Sequence, residues 1–70
     1  MSEYMIVIER EGEAWGAYAP DLPGLGVAGS SQEEVESLAG EAIKEHIRLL
    51  KELGEPIPHP TAKVRYVSVA

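Results

Sequence analysis

Residues Tyr18 to Ser31 read YAPDLPGLGVAGSS, and this stretch decides the fold because its two prolines and three glycines end an extended segment and lead into a helix. Pro20 and Pro23 lack the backbone N–H that a paired strand needs, and the pair Pro23-Gly24 favours a type II turn with a positive φ at the glycine. The chain is therefore predicted to turn here. Residues 25–29 (LGVAG) then resume as a short third strand.

Two strands are predicted before this turn. Residues 4–10 (YMIVIER) direct apolar side chains to both faces, which is typical of a central strand. After the polar turn 11–13, residues 14–19 (AWGAYA) alternate in a way that predicts a hairpin with the first strand. Gly16 either marks a bulge or close backbone approach, or is simply tolerated.

One long helix is predicted after the third strand. Ser31-Gln32-Glu33-Glu34 fits a capping box, in which Ser31 accepts from the N–H of Glu34 and Glu34 reaches back to the N–H of residue 31. Gly54 ends the helix before Pro56, so the helix spans residues 32–53. Its apolar side chains recur at steps of three and four residues and form one stripe able to cover a sheet face: Val35, Leu38, Ala39, Ala42, Ile43, His46, Ile47, Leu50 and Leu53.

The helix, about 33 Å long, exceeds the length of a typical strand, about 17–20 Å, so one end overhangs the sheet. Leu49, Leu50 and Leu53 lie on that overhang and need a cover, which the segment 56–60 (PIPHP) or a second subunit would supply. We therefore predict self-association, with these three leucines as candidate contacts. The interior Gly40 suggests close approach of a neighbouring chain.

The alternation in residues 62–69 (AKVRYVSV) predicts a fourth strand. The expected fold class is α+β: a single β-β-β-α-β domain over residues 1–70, with one helix covering one face of a four-stranded sheet. If the fourth strand lies beside the first and parallel to it, the crossover is right-handed and the sheet order is 3-2-1-4, with the first strand in the interior.

Composition restricts the possible functions. The net charge of −6 opposes phosphate backbones, so direct nucleic-acid binding is not expected; the charge suits a basic partner or simply maintains solubility. With no cysteine, disulfides and thiolate chemistry are excluded and a reducing compartment fits. The sequence has neither an apolar run of membrane-spanning length nor the start of a signal peptide, which predicts a cytoplasmic protein without membrane association.

The residues that usually carry catalysis are few. His46 lies on the apolar helix stripe and His59 lies between prolines, and neither belongs to a metal-binding pattern. Asp21 is a lone turn carboxylate, for which capping of backbone N–H groups is the expected role. Ser30 and Ser31 are better explained by capping than by nucleophilic attack. We expect no enzyme activity, no metal and no cofactor, and interpret the chain as a binding domain.

Three segments resemble the HicB antitoxin family: AYAPDLPG (17–24), GSSQEEV (29–35) and GEPIP (54–58). The family pattern is Y-x-A-x-x-P-D-L-P-G-C, then G-D-T-x-E-E-A, then G-x-P-I-P; here Leu25 replaces the cysteine and Ser30-Ser31 replace Asp-Thr. The resemblance spans nearly the whole chain. The matching positions, to which we assign structural roles, are Tyr18, Pro20, Asp21, Leu22, Pro23, Gly24, Gly29, Ser31, Glu34, Gly54, Pro56 and Pro58.

The resemblance implies a partial RNase H-like sheet and a role in binding a small basic HicA toxin, an mRNA-cleaving ribonuclease whose catalytic histidine is covered. HicB antitoxins commonly continue into a DNA-binding domain, which is not expected within residues 1–70. Two alternatives remain: a homo-oligomeric binding module without a toxin partner, and a hydrolase with RNase H chemistry. The hydrolase would need clustered carboxylates, which Glu9 and Asp21 alone do not supply.

Overall fold

The computed structural model describes residues 3–70, in which three strands precede one helix. The strands are β1 (Val7–Glu11), β2 (Ala14–Tyr18) and β3 (Gly26–Gly29). They form an antiparallel sheet in the order β1-β2-β3. The hairpin and the third strand therefore form as predicted, and continuous pairing across Gly16 shows that this glycine marks no bulge.

The helix α1 spans Gln32–Leu53, the predicted bounds. Local signals fix both of its ends. Ser31 has an extended backbone and accepts a hydrogen bond from the Glu34 N–H, while Gly54 takes a positive φ of 70° that satisfies the last carbonyls. This helix is not long and apolar enough to cross a membrane, nor is any other helix in the described part of the chain.

The core lies between α1 and the face of the sheet that carries Ala17. Ala17, Val35 and Ala39 are buried, and partly buried apolar side chains from the three strands and from the residue before β1 pack around them: Ile6, Ile8, Trp15 and Val27. Since side chains alternate along a strand, Val7, Gly16 and Tyr18 lie on the opposite, open face. The helix thus covers one face of the sheet, as expected.

The predicted fourth strand is not confirmed. Within residues 3–70 the sheet has three strands, and the segment 62–69 belongs to none of them. In this described part β1 is consequently an edge strand rather than an interior one, because β2 is its partner on one side only. The order 3-2-1-4 is therefore not formed within the described chain. Alternation specifies a strand but not which edge receives it.

The molecule is extended for its length. Its radius of gyration is 13.7 Å, whereas a folded domain of this length is expected to have about 11 Å. Its accessible surface is 5612 Å², against about 4,300 Å² expected for a folded monomer of 7.6 kDa. The excess is on the order of 1,300 Å², comparable to what one subunit buries in a stable dimer, about 800 Å².

Candidate interaction site

The motif PDLPG forms two consecutive turns that bury one leucine. The Leu22 N–H donates to the Ala19 carbonyl at 3.0 Å, and the Leu25 N–H donates to the Leu22 carbonyl at 3.1 Å. Gly24 has a φ of 84°, as the predicted type II turn requires. Leu22 is fully buried while Pro20 and Pro23 are exposed. The turns therefore insert Leu22 into the core.

Asp21 connects this motif to the C-terminal part of the chain. Its carboxylate accepts from the Ala62 N–H at 3.1 and 3.2 Å and from the Thr61 hydroxyl at 3.0 Å. These bonds, led by the one from the Ala62 backbone, lower the pKa of the Asp21 carboxyl below its ordinary value. The expected role of capping backbone N–H groups is correct, but the N–H group comes from about forty residues away.

Gly29, Ser31 and Glu34 converge at the start of α1. The Glu34 N–H donates to Ser31 Oγ at 3.1 Å, as predicted. The returning bond differs from the prediction, since Glu34 Oε1 accepts from the N–H of Ser30 at 2.6 Å rather than from residue 31. A Cβ on Gly29 would overlap the Glu34 carboxylate. Glycine at position 29 therefore makes room for the capping side chain.

The last motif positions, Gly54, Pro56 and Pro58, turn the chain back from the end of α1. The Gly54 N–H donates to Lys51 and the Glu55 N–H donates to Leu50, which closes the helix. Pro56 is exposed, whereas the Pro58 carbonyl accepts a hydrogen bond from the Tyr4 hydroxyl. The returning segment is thereby tied to the residues just before β1.

An apolar groove lies between the second half of α1 and this returning segment. Its volume is about 480 Å³, and we define it by its apolar lining, Tyr4, Ile43, Ile47 and Ile57. Lys44, Arg48 and Lys51 also line it. Arg48 is paired with Glu45 and Glu52, which leaves the two lysines to give this rim its positive charge.

The candidate oligomer contacts lie on the same half of the helix. Leu49 is 47 % exposed and Leu53 is 65 % exposed, while Leu50 is half-buried. Two of the three leucines are therefore open to solvent. Gly40 has no atom near the position of an added Cβ, so it does not approach another part of the described chain.

The opposite end of the domain is acidic. Strand pairing places the β1–β2 turn beside Gly29 and the start of α1, since Trp15 is paired with Gly29. Five exposed glutamates lie on β1, on the β1–β2 turn and on the first turns of α1, and we call this set the acidic end: Glu9, Glu11, Glu13, Glu33 and Glu36. Arg10, the nearby cation, lies over the Trp15 ring at 5.5 Å and donates to the Gly12 carbonyl at 2.8 Å.

The residues considered for catalysis do not assemble. His46 is half-buried on α1, His59 is exposed in the proline segment, and Ser30 and Ser31 serve the helix cap. Within residues 3–70, no group of three histidine or carboxylate side chains could hold a metal ion. The described surface has an acidic end, an apolar groove and exposed C-terminal residues.

Sequence reasoning missed three participants: Tyr4, Thr61 and Ala62. Each contacts a residue at least 40 positions away. No short-range pattern signals such a contact. The available sign was the carboxylate of Asp21, a hydrogen-bond acceptor whose donors the sequence does not identify.

The comparisons with known proteins agree with the motif geometry. The family described as HicB-like antitoxin of bacterial toxin-antitoxin system matches residues 4–68. This match includes all three motif segments, the helix and most of the C-terminal residues. No curated protein and no solved structure shows a significant match to the chain.

Proposed function

Since the chain belongs to the HicB-like antitoxin family of bacterial toxin–antitoxin systems, we propose that it neutralises a small basic ribonuclease toxin of the HicA type by binding it. In this proposal the bound chain covers the catalytic histidine of the toxin and is not itself an enzyme. The match over residues 4–68 is the observation that carries the proposal. Because the substrate of such a toxin is mRNA, the proposal also places the complex in the cytoplasm.

The acidic end is the surface that we assign to the toxin. Its five glutamates are exposed, and the neighbouring Arg10 is engaged by Trp15 and Gly12. A concentrated negative surface accelerates association with a basic partner, and salt screens this attraction beyond about 8 Å at physiological ionic strength. The acidic end therefore contributes mainly to the association rate and to the choice of partner.

The test begins with a search for a small basic protein encoded next to this chain. The purified chain should form a stable complex with it and suppress its cleavage of RNA in proportion to the complex formed. If no complex forms at micromolar concentrations, the proposal is wrong. Cleavage that continues within an intact complex would exclude occlusion of the catalytic residue.

Charge reversal tests the assigned surface. Replacing Glu11 and Glu13 by lysine should slow association on the order of tenfold at low salt, with a smaller effect at high salt. The matched control replaces Glu41 and Glu55 by lysine, which changes the net charge equally at exposed positions outside the acidic end. Equal slowing by both double variants would show that net charge matters and that the acidic end is not the docking surface.

A second candidate function is a homo-oligomeric binding module without a toxin partner. The apolar groove of about 480 Å³ favours it, because a concavity with an apolar lining and charged groups at its rim is a common form of a ligand or peptide site. An adjacent gene for a small basic protein favours the antitoxin. If no such gene exists and the chain binds no basic ribonuclease, this second function takes precedence.

A further inference from the structure

The C-terminal segment, residues 63–70, has the residue alternation of a β-strand but is not part of the described sheet. Its apolar side chains are strongly exposed: Val64 58 %, Tyr66 94 %, Val67 83 % and Val69 89 %. Solvation of so many β-branched and aromatic residues in succession is unfavourable, and a strand of this kind gains stability by pairing. The segment therefore needs a partner that it lacks in the described monomer.

The described sheet has two edge strands, β1 and the shorter β3, and β1 is the more suitable partner. In the described part of the chain β1 pairs with β2 along one side, so its other side presents free backbone donors and acceptors. Residues 4–6 precede β1 directly and also lie outside the sheet. Together residues 4–11 provide eight positions, the same number as the predicted strand at 62–69.

The apolar groove provides a surface on which the C-terminal segment can pack once it pairs with β1. Tyr4 belongs to the groove and also directly precedes the edge formed by β1, while Ile43 and Ile47 line the groove from the helix. A strand added beside residues 4–11 would direct alternate side chains toward this helix-covered side. Val64 and Tyr66 share one face of the segment and are suited to fill the groove.

Charge favours the same pairing. The C-terminal segment contains two of the six basic residues and none of the twelve acidic ones, so it carries +2 while the rest of the chain carries −8. Glu9 and Glu11 on β1 are exposed, and Lys63 and Arg65 on the segment are exposed. Opposite charges on neighbouring strands stabilise a sheet, whereas two bare acidic edges would repel each other.

We propose that two copies of this chain form a dimer by exchanging their C-terminal segments, each pairing with the β1 edge and filling the apolar groove of the other copy. The segment is anchored to its own copy at Ala62 by Asp21, and beyond that anchor it extends into solvent instead of reaching its own β1. The surface excess on the order of 1,300 Å² per chain is sufficient for a standard dimer interface. The exchange does not rest on toxin binding, although it would bring the basic segment of the other copy beside Glu9 and Glu11 of the acidic end.

The first experiment measures mass by sedimentation and light scattering for the chain alone. The full chain should form a dimer of twice 7.6 kDa, and a chain ending at Ala62 should be a monomer with the same helical signal per molecule, because the removed residues lie outside the core. The control is a double variant, Leu49→Gln and Leu53→Gln, which removes exposed apolar surface from the helix outside the groove lining. This variant should remain dimeric. A monomeric full chain, or a dimeric truncated chain, would overturn the proposal.

The second experiment uses the absence of native cysteine. Glu9→Cys and Arg65→Cys, whose side chains would share the open face of the sheet, are made in separate chains, mixed, and treated with a short thiol-to-thiol cross-linker. The exchange predicts a cross-linked heterodimer of the two variants. In a chain carrying both substitutions, a link formed within one molecule at low concentration would show closure on its own β1 and contradict the exchange. Both readouts are independent of any toxin.

Discussion

The backbone N–H of Ala62 donates a bifurcated hydrogen bond to both carboxylate oxygens of Asp21, at 3.1 and 3.2 Å, and so fastens the C-terminal part of the chain to the turn that follows β2. The bond joins the motif PDLPG to the first residue of the predicted fourth strand. Residues after Ala62 are exposed while Leu22, next to Asp21, is fully buried. The anchor therefore marks the boundary between the packed domain and the segment proposed to be exchanged.

Replacing Asp21 by alanine should release this anchor without unfolding the domain. The variant loses the acceptor for Ala62 and Thr61, whereas the core of Ala17, Val35 and Ala39 is untouched. We expect faster amide hydrogen exchange at Ala62 and unchanged exchange at Val35, measured by NMR. Thr61→Val, which removes the hydroxyl donor but keeps the bond from Ala62, is the matched control and should have a smaller effect. Unchanged exchange at Ala62 in the alanine variant would contradict the anchor.

The anchor should depend on pH in a defined direction. The pKa of Asp21 is lowered in the folded chain from its ordinary value of 3.8, chiefly because the ionised carboxylate accepts from the Ala62 N–H. A group with a depressed folded pKa stabilises the fold above its unfolded pKa and loses that contribution as pH falls through the folded value. The stability difference between the native chain and Asp21→Asn should therefore be constant from pH 7 to 5 and shrink below 3.8. Urea unfolding at each pH measures it, and a difference that grows on acidification would refute the assignment.

Local features of the fold were predictable because their causes are local. Ser31 and Gly54 carry the capping chemistry that fixes the two ends of α1, and Gly24 has the positive φ that a Pro-Gly turn requires. The capping role of Asp21 followed from its position in a turn. The donors to Asp21 could not be predicted from the sequence, because a hydrogen bond that spans 41 positions leaves no periodic or short-range signal.

For the fourth strand, the sequence pattern predicts a segment able to pair but not the edge with which it pairs. The alternation of Val64 and Tyr66 with Lys63 and Arg65 is typical of a segment able to pair, and the segment is exposed and lies outside the helix and the sheet. Its partner edge depends on where the chain leaves the Asp21 anchor and on whether a second copy is present. The alternation of apolar and polar residues in the segment gives no information on either condition. The same reason explains why β1, apolar on both faces, was placed in the sheet interior but lies at its edge in the described chain.

Leu22→Ala should be among the most damaging single substitutions. Leu22 is completely buried at the centre of PDLPG, and removal of a buried leucine side chain costs about 2–5 kcal/mol. That loss is a large part of the total stability of a small domain, about 5–15 kcal/mol. We expect a marked fall in the urea midpoint for the variant. Leu53→Ala, at 65 % exposure, is the matched control and should change stability by about 0.5 kcal/mol or less. Equal effects would show that the motif does not anchor the core.

Gly29 and Gly40 should respond in opposite ways to alanine. A Cβ at position 29 overlaps the Glu34 carboxylate that accepts from the Ser30 N–H, so Gly29→Ala should cost about 1 kcal/mol, the usual value of a helix cap. A Cβ at position 40 meets no atom, so Gly40→Ala should stabilise the helix by about 1 kcal/mol. Urea unfolding of both variants measures these signs. In a Glu34→Ala background the loss of stability caused by Gly29→Ala should largely disappear, because the overlapping carboxylate is gone. A loss that persists in that background would show that glycine is required by β3 rather than by the helix cap.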